Sequence, residues 1–280
     1  MTLRFGILGF PVSHSRSPDF FRAKFLANGI DAEYSFFEVK PEDLAGFIKK
    51  VRDENIQGLS VTLPYKEKIL EFLDEVEEDA RFIGAVNTVV HRDGKLYGFN
   101  TDFKGIHKIL QDVCRHHGFS TLKGKEIVLL GAGGTAAAAA YACSLMNAKV
   151  TILNRTLEKA EHLAQKFGFR AGKLEHILNS PADIVIQTTS VGMAPHSDHT
   201  PIPSTYFQAG KTSKDRGEAV LFQPIAIDVI YTPRETQFLK DAKAADWQTI
   251  SGEQMFLNQA EVQFEIWFHR FKKFSPSISG

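Results

Sequence analysis

The chain has 280 residues, which is long for one hydrophobic core and sufficient for two domains of ordinary size. Its 33 basic and 33 acidic residues give a formal net charge of zero, which argues against a nucleic-acid-binding protein, because such proteins usually carry a basic excess. No apolar stretch approaches the ~18 residues that span a bilayer. The N-terminus runs directly into a strand-like pattern and lacks the layout of a signal peptide.

The two cysteines, Cys114 and Cys143, lie far apart and outside any CxxC or His-rich context. This spacing argues against a zinc site or a disulfide framework and favours a reducing compartment. Both side chains are expected to be small buried hydrophobic groups. We therefore expect a cytoplasmic protein without a metal site that binds neither nucleic acid nor membrane.

The first third of the chain alternates short apolar runs with amphipathic stretches, the pattern of an α/β protein. Proline near the first turn marks two helices, and Asp93-Gly94 predicts the tight turn of a hairpin. The predicted strands are Leu3–Gly9, Glu33–Val39, Leu59–Leu63, Val86–His91 and Lys95–Gly98. The predicted helices are Ser17–Asn28, Pro41–Arg52 and one that is capped by Asn100-Thr101-Asp102 and ends near Gly118.

A continuous apolar strand, Lys125–Leu130, begins a second region with the pattern of a buried parallel sheet. Further strands are predicted at Lys149–Leu153, Asp183–Gln187 and Ala226–Ile230, helices at Thr135–Asn147, Thr156–Phe167 and Glu253–Phe271, and a polar surface loop at Gln208–Glu218. The predicted fold is α/β with two domains. Residues 1–104 plus 252–280 form a substrate-binding domain with a mainly parallel sheet, to which the C-terminal helix returns, and residues 105–251 form a nucleotide-binding domain.

Three glycines, Gly131, Gly133 and Gly134, follow the buried strand and open a helix, as in the dinucleotide-binding fingerprint of Rossmann-type domains. A side chain at the first or second of them would obstruct the turn or the approach of a pyrophosphate to backbone N–H groups. The helix N-terminus adds partial positive charge. Ala137 stands where a third glycine is usual. A glycine-rich turn without a ligand is the alternative interpretation.

The end of the second strand of this region distinguishes NADP from NAD. NAD-binding domains place Asp or Glu here to hold the ribose hydroxyls, whereas this chain has Asn154, Arg155 and Thr156, with Lys159 one turn later. Arg155 can hold a 2′-phosphate that a carboxylate would repel. The sequence therefore predicts NADP(H) as the cofactor, with a solvated loop charge as the alternative role for Arg155.

Polar clusters follow several strands of the first domain, at the sheet edge where open α/β sheets bind ligands. Each alone has an ordinary explanation as a helix cap, a turn or a solvated charge. Nine motifs stand in one order along nearly the whole chain: Ser13-His14-Ser15-Arg16-Ser17-Pro18, Val61-Thr62-Leu63-Pro64-Tyr65-Lys66, Gly84-Ala85-Val86-Asn87-Thr88, Asn100-Thr101-Asp102, Gly131-Ala132-Gly133-Gly134, Asn154-Arg155-Thr156, Thr189-Ser190-Val191-Gly192-Met193, Asp228-Val229-Ile230-Tyr231-x-Pro233 and Gln259-Ala260. In this order they resemble the shikimate dehydrogenase family. The chain departs from that family's usual Asn at Ser60, His-Asn near Phe20-Phe21-Arg22 and Gly at Gln254.

The resemblance implies reversible, NADPH-dependent reduction of 3-dehydroshikimate to shikimate in aromatic amino acid (chorismate) biosynthesis, with Lys66 and Asp102 handling the proton. The implied substrate contacts are Ser15 and Ser17 to the carboxylate, with Tyr231 close by, and Thr62, Lys66, Asn87, Asp102 and Gln259 to the ring hydroxyls and the reacting oxygen. The implied cofactor contacts are Gly131, Ala132, Gly133, Gly134, Thr135, Asn154, Arg155, Thr156 and Lys159, with Glu78, Val229 and Gly252 around the nicotinamide. His14 is expected to make a structural hydrogen bond rather than to act as a general base.

Three alternatives stay open. A quinate or dual quinate/shikimate dehydrogenase needs room for an extra hydroxyl near Ser15 and Ser17. A non-catalytic NADP-binding regulator of the same fold would be expected to have lost Lys66 or Asp102. The third is one part of a multifunctional enzyme, against which a first strand directly after Met1 argues mildly. Apart from its small-molecule substrate we expect no partner other than a second copy of the chain, so that the protein is a monomer or a homodimer.

Overall fold

A computed structural model describes residues 2–13, 15–208 and 222–268. The chain divides into two compact units: unit 1 comprises residues up to 101 together with those from 260 onward, and unit 2 comprises residues 102–259. The domain limits expected from the sequence, at 104 and 252, stay a prediction. His14, the part of the expected surface loop from 209 to 218 and the end of the expected C-terminal helix after Phe268 lie outside the described residues.

Each unit contains one sheet with helices around it. The elements of unit 1 before residue 102 are β1 (Leu3–Gly9), α1 (Ser17–Ala27), β2 (Ala32–Glu38), α2 (Leu44–Asp53), β3 (Gly58–Val61), β4 (Glu75–Val76), α3 (Glu78–Ile83), β5 (Thr88–Arg92) and β6 (Lys95–Phe99). Those that follow are α4 (Asp102–His116), β7 (Glu126–Leu130), α5 (Gly134–Leu145), β8 (Lys149–Asn154), α6 (Leu157–Phe167), β9 (Arg170–Lys173), β10 (Ile184–Gln187), α7 (Thr205–Gln208), β11 (Ile225–Asp228), α8 (Gln237–Ala244), β12 (Gln248–Ile250) and α9 (Gly252–Phe268), and the unit boundary at residue 260 falls within α9. Short 3-10 helices span Pro41–Asp43, Lys68–Phe72 and Leu174–Asn179.

The sheet of unit 1 is mixed and has the order β2-β1-β3-β5-β6-β4. β1 is parallel to β2 and β3, so that Gly9 and Val61 end at the same edge. β5 is antiparallel to β3 and β6, and its first residue, Thr88, pairs with Phe99 at the end of β6. One edge therefore collects the chain after β1, after β3, before β5 and after β6. The polar motifs of the first domain lie in these four segments.

The hairpin between β5 and β6 confirms the turn predicted at Asp93-Gly94. Arg92 pairs with Lys95, and both turn residues have positive φ, 54° and 75°. Such a turn matches the right-handed twist of the two strands. Because the turn fixes the register, it also fixes which residues of β5 and β6 reach the polar edge.

The end of α9 packs into the core of unit 1, which confirms that the C-terminal helix returns to the first domain. The ring of Trp267 lies 4.8 Å from those of Phe5 and Phe21, centroid to centroid. Its Nε1 donates to the carbonyl oxygen of Val89 at 3.0 Å. A Cβ at Gly58 would lie 2.6 Å from that Nε1, so glycine there lets the indole reach the sheet. Each buried aromatic side chain of this kind contributes about 1.5–3 kcal/mol.

Two of the three departures from the family pattern meet in this core. The hydroxyl of Tyr34 donates to Ser60 Oγ at 2.6 Å, and Ser60 Oγ donates to Gln263 Oε1 at 3.1 Å. The ring of Phe21 stacks on Tyr34 at 4.9 Å, and Arg22 Nη2 donates to the Tyr34 carbonyl at 2.8 Å. Since Tyr34 connects them, the unusual residues of α1 and β3 form one locally consistent arrangement.

The sheet of unit 2 is parallel throughout, with the order β12-β11-β10-β7-β8-β9. Counted from β7 as the first strand, the order is 3-2-1-4-5-6, that of the Rossmann dinucleotide-binding fold. The order reverses between β7 and β10, where such folds bind their ligand. Four alanines of α5 are fully buried, which keeps the buried side of this helix slim (Ala138, Ala139, Ala140 and Ala142).

Both cysteines are buried, which confirms their expected packing role. Burial raises the pKa of the Cys143 thiol to about 12, so this thiol stays protonated at neutral pH. Within the described ranges, no helix combines the length and the apolar character required to traverse a bilayer.

Candidate functional site

The first segment of the polar edge of unit 1 follows β1 and carries Ser15 and Ser17. The backbone N–H of Ser15 donates to the carbonyl of Val12 at 3.0 Å, and that of Ser17 donates to Ser15 Oγ at 3.2 Å. The two hydroxyl oxygens lie 3.2 Å apart. Two hydroxyl groups at this spacing can donate to the two oxygens of one carboxylate.

The second segment follows β3 and carries Thr62 and Lys66. Thr62 N donates to the Leu8 carbonyl at 2.9 Å, which attaches the segment to the end of β1. The carbonyl of Lys66 accepts from Val86 N at 2.7 Å, so the backbone of Lys66 lies beside the segment that precedes β5. Its side chain is half-buried.

Asn87 and Thr101 form a buried hydrogen-bonded pair at the same edge. Asn87 Nδ2 donates to Thr101 Oγ1 at 2.9 Å, and Thr101 N donates to Asn87 Oδ1 at 2.7 Å. Asn87 is 4% exposed and Thr101 is fully buried. Because a buried polar atom without a partner costs about 1–3 kcal/mol, this pair fixes the orientation of the amide. Ser15, Ser17, Thr62, Lys66 and Asn87 thus lie in segments that meet at one edge of unit 1.

Asp102 and Gln259 lie in unit 2 on two helices that contact each other, α4 and α9. Asp102 is the first residue of α4, one turn before Gly105. A Cβ at Gly105 would lie 3.1 Å from Gln259 Cβ and 3.0 Å from the Met255 carbonyl, so only glycine allows this approach of the two helices. Asn258 Nδ2 donates to the Gly105 carbonyl at 3.4 Å. Asp102 and Gln259 are both buried.

Tyr231 follows β11 and packs its ring on Phe256 of α9, with 5.0 Å between ring centroids. Gly252 lies against the same loop, because a Cβ there would be 2.4 Å from the Ile230 carbonyl oxygen and 2.5 Å from the carbonyl carbon of Val229. Val229, Tyr231 and Gly252 therefore belong to one cluster in unit 2. Glu78 is exposed at the start of α3 in unit 1.

Asp228, the last residue of β11, holds this loop in place. Its Oδ1 accepts from Ile230 N at 2.9 Å and its Oδ2 accepts from Thr236 Oγ1 at 2.6 Å. Thr236 is the N-cap of α8 and accepts from Leu239 N at 3.4 Å. Burial raises the pKa of Asp228 to about 7, although both hydrogen bonds act in the opposite direction.

The glycine loop after β7 has two positions with different requirements. Gly131 has φ +111°, and a Cβ there would lie 2.8 Å from Thr188 Oγ1, which follows β10. At Gly133, by contrast, a Cβ would have no neighbour within 4 Å. Gly133 is also the N-cap of α5 and has no side chain with which to cap the first N–H groups of that helix, which are the groups that bind phosphate in such loops. The loop fits a pyrophosphate.

Polar and cationic side chains follow β8. Asn154 Nδ2 donates to the Thr156 carbonyl at 2.9 Å and closes the turn before α6. Arg155, Thr156 and Lys159 are exposed. This arrangement fits a phosphorylated ribose, because cations and a helix N-terminus are available and no carboxylate occupies the turn.

Comparisons with known proteins agree with this geometry. Residues 7–89 match the family model of the shikimate dehydrogenase substrate binding domain, and residues 114–196 match that of shikimate / quinate 5-dehydrogenase. The chain belongs to the shikimate dehydrogenase family. A curated shikimate dehydrogenase (NADP(+)) of Shouchella clausii (strain KSM-K16) is 36% identical over 276 residues, which cover 96% of this chain and 94% of the relative. The resemblance seen in the sequence is thereby confirmed.

Solved structures place the shikimate dehydrogenase family next to a reductase with another name. Shikimate 5-dehydrogenase of Thermus thermophilus, in complex with NADP(H) and shikimate, is 34% identical with a TM-score of 0.80, covering 97% of this chain and 95% of that one. The ligand-free 5-ketofructose reductase of Gluconobacter sp. strain CHM43 is 31% identical with a TM-score of 0.76, covering 98% of this chain and 95% of that one. The comparison confirms the two-domain α/β fold.

Some features of this shikimate dehydrogenase family member escaped the sequence reasoning. Thr188 defines the space beside Gly131 and stood in the sequence only as a small polar residue after a strand. Thr101 belonged to the predicted cap Asn100-Thr101-Asp102, but its hydrogen bonds to Asn87 were not expected. Across the described part of the chain, no three His, Cys, Asp or Glu side chains are arranged to hold a metal ion.

Proposed function

We propose that the protein catalyses the reversible, NADPH-dependent reduction of 3-dehydroshikimate to shikimate in aromatic amino acid (chorismate) biosynthesis. One observation carries this proposal. The paired hydroxyls of Ser15 and Ser17, the Lys66 segment and the fixed amide of Asn87 lie along a single edge of the unit 1 sheet. A carboxylic acid with ring hydroxyls and one ketone offers a partner to each of these groups.

In this proposal the substrate is oriented by hydrogen bonds at both ends. Ser15 and Ser17 donate to the carboxylate, with Tyr231 close by, and such charge-assisted hydrogen bonds contribute about 1.5–3 kcal/mol each. The ring hydroxyls and the reacting oxygen are held by Thr62, Lys66, Asn87, Asp102 and Gln259. Asn87 is suited to this task, because its amide is already oriented by Thr101 and needs no rearrangement when a hydroxyl arrives.

Lys66 and Asp102 handle the proton. NADPH, when bound, supplies the hydride to the ketone carbon. As negative charge develops on the ketone oxygen, the Lys66 ammonium donates a hydrogen bond to it and then transfers the proton. Asp102 orients the lysine and accepts from the adjacent hydroxyl. In the oxidation direction, neutral Lys66 takes the proton from the hydroxyl.

The cofactor is held by unit 2 through backbone and side chains. The N–H groups of the loop Gly131, Ala132, Gly133, Gly134 and Thr135 bind the pyrophosphate. Arg155, with Asn154, Thr156 and Lys159, selects the 2′-phosphate. Val229, Gly252 and Glu78 surround the nicotinamide. The open space above Gly133 supports the first assignment and the exposed cations after β8 support the second.

We also propose the finer properties expected from the sequence. The substrate-binding domain comprises residues 1–104 plus 252–280, and the NADP-binding domain comprises residues 105–251. The protein acts in the cytoplasm as a monomer or homodimer and has no nucleic-acid or membrane partner. The zero formal charge supports the absence of a nucleic-acid partner.

A spectrophotometric assay tests the function directly. The full chain is given shikimate or quinate with NADP or NAD, in four combinations, and 5-ketofructose with NADPH as a fifth. We expect the shikimate and NADP combination to give the highest kcat/KM. Shikimate and quinate both offer a carboxylate to Ser15 and Ser17, but quinate needs room for an extra hydroxyl beside these serines, and 5-ketofructose has no carboxylate. A higher value with quinate or 5-ketofructose would overturn the substrate assignment. NADPH binding without turnover of any substrate would favour a regulator instead.

A further inference from the structure

A lysine outside every family motif lies beside the proposed 2′-phosphate site. Lys173 ends β9, and in the parallel pairing of β8 with β9 it stands opposite Asn154. Paired residues on neighbouring strands lie about 4.8 Å apart and direct their side chains to the same face of the sheet. Lys173 is therefore the neighbour, on the adjacent strand, of the proposed cofactor contact Asn154. Arg155 is the next residue after Asn154.

Lys173 and Arg155 also line one cavity of unit 2, about 430 Å³ in volume. Its other lining residues are mostly apolar: Leu174, Ile177, Leu178, Pro201 and Pro203, together with Glu175. A volume of this size is in the range of small-molecule sites. An apolar wall with two cations suits a flat base that carries a phosphorylated sugar.

The charges around the cavity favour an anion. Arg155 and Lys173 contribute two positive charges, while Glu175 contributes one negative charge and lies 3.7 Å from Lys173 Nζ. A phosphate monoester carries about −1.5 to −2 charges at neutral pH. Lys159, the other lysine proposed for the 2′-phosphate, does not line this cavity, so within the cavity Arg155 alone leaves part of that charge uncompensated. Lys173 can turn from Glu175 toward the phosphate, because both side chains are at least half exposed.

We propose that Lys173 is a specificity-determining residue that pairs with the 2′-phosphate of NADP alongside Arg155. The inference rests on the proposed function, since it requires NADP in unit 2. Lys173 makes no contribution to NAD binding, because NAD lacks this phosphate. Glu175 competes for the lysine and moderates the affinity for NADP.

The test compares adenosine 2′,5′-bisphosphate with adenosine 5′-monophosphate by isothermal titration of the full chain. Lys173→Gln should weaken bisphosphate binding about 5- to 20-fold, as expected for one charge-assisted contact, and leave monophosphate binding unchanged. Its bisphosphate affinity should also depend less steeply on salt concentration. Glu175→Gln should strengthen bisphosphate binding about two- to threefold, because the lysine is released. Arg155→Gln should weaken it more than Lys173→Gln does.

The matched control is Lys149→Gln, which removes a lysine at the opposite end of β8, where it pairs with Glu126 at 3.6 Å. Equal bisphosphate affinities of Lys173→Gln and Lys149→Gln would overturn the inference. Equal weakening of both ligands by Lys173→Gln would also overturn it, since the lysine would then contact a group that both ligands share, the adenosine or the 5′-phosphate. If the unmodified chain bound the two ligands equally, the proposed preference for NADP would itself be wrong, whatever the effect of Lys173→Gln. Failure of the proposed function is thereby distinguished from failure of the role proposed for Lys173.

Discussion

The two units build their polar edges in different ways. In unit 1 the edge consists of side chains that fix one another: Asn87 and Thr101 exchange two hydrogen bonds and both are buried. In unit 2 the edge is shaped by backbone, since the glycine loop leaves open space at Gly133 and the cation that follows β8, Arg155, is exposed.

This difference suits unit 1 to selecting a substrate and unit 2 to binding the phosphates of a cofactor. A fixed amide distinguishes a correctly placed hydroxyl from a misplaced one, because neither the amide nor its partner can turn without losing a hydrogen bond. A helix N-terminus binds phosphate whatever the rest of the ligand is, so selectivity there depends on exposed cations such as Arg155. Substitutions at the edge of unit 1 should therefore affect turnover, and those in the loops of unit 2 should affect cofactor binding.

The largest expected effect is that of Lys66→Ala. Loss of a positioned proton donor should lower kcat by about 10²–10⁴-fold, with a much smaller rise in KM. Asp102→Asn should act in the same direction but also weaken substrate binding. Steady-state kinetics with shikimate and NADP measure both constants.

The control for this experiment is Lys68→Ala, two residues away. Lys68 is exposed and pairs with Glu71 at 2.7 Å, so its removal should leave kcat unchanged. If Lys66→Ala retained near-normal turnover while NADP still bound, the edge of unit 1 would have no catalytic role and the contrast between the units would disappear.

Much of the framework that carries these sites was predictable from local sequence. The apolar run Leu3–Gly9 is β1 with the same limits. The Asp-Gly dipeptide placed the hairpin correctly, because only a turn with positive φ joins two twisted strands over two residues. The strand–glycine–helix order at residue 131 correctly placed a glycine loop between a strand and a helix, β7 and α5. In each case a short-range physical requirement was visible in consecutive residues.

The elements that escaped prediction depend on partners distant in sequence. β9 has the polar sequence Arg170–Lys173 and becomes a strand because β8 offers an edge to pair with. β4 has only two residues, beside β6. The pairing of Asn87 with Thr101 follows from the register of β5 and β6, and the burial of Asp228 follows from the layers around β11. No local pattern encodes these distances.

The second largest effect is the pH dependence of stability that the buried carboxyl of Asp228 causes in unit 2. Asp228 binds the loop after β11, so this effect tests a side chain of unit 2 that stabilises the fold and does not contact a ligand. Its pKa is raised from 3.8 to about 7 by burial. The folded state then binds the proton more tightly than the unfolded state does, so stability falls as pH rises from about 4 to about 7 and is constant above that. The decrease is on the order of 1 kcal/mol per pH unit and about 4 kcal/mol in total.

Asp228→Asn should remove this decrease, because the amide keeps the acceptor for Ile230 N and carries no titratable proton. Urea unfolding of both proteins between pH 4 and 8 gives the difference in stability at each pH, and other titrating groups cancel in it. Asp53→Asn, at an exposed site on α2, is the control for the loss of one aspartate. A constant difference for Asp228→Asn across the range would mean that the carboxyl ionises at its ordinary pH in the folded protein.

The smallest expected effects are those of two substitutions in the glycine loop, one that should change the stability of the fold and one that should change cofactor binding. Gly131→Ala places a methyl group 2.8 Å from Thr188 Oγ1 at φ +111°, and strain of this kind costs about 1–3 kcal/mol. Gly133→Ala meets no neighbour within 4 Å and keeps a φ of −102° that any residue adopts. Its stability should stay within about 1 kcal/mol of that of the unmodified chain, because alanine has less conformational freedom to lose on folding but is a weaker N-cap residue than glycine.

Gly131→Ala should therefore change the free energy of unfolding, and Gly133→Ala should change the affinity for NADPH. Urea unfolding should detect Gly131→Ala, whereas titration with NADPH should detect Gly133→Ala, whose methyl group enters the space proposed for the pyrophosphate. Unchanged NADPH affinity in Gly133→Ala would show that the open space above the loop is not where phosphate binds. Unit 2 would then bind its cofactor through side chains, as unit 1 is proposed to bind its substrate, and the contrast between a side-chain site and a backbone site would be lost.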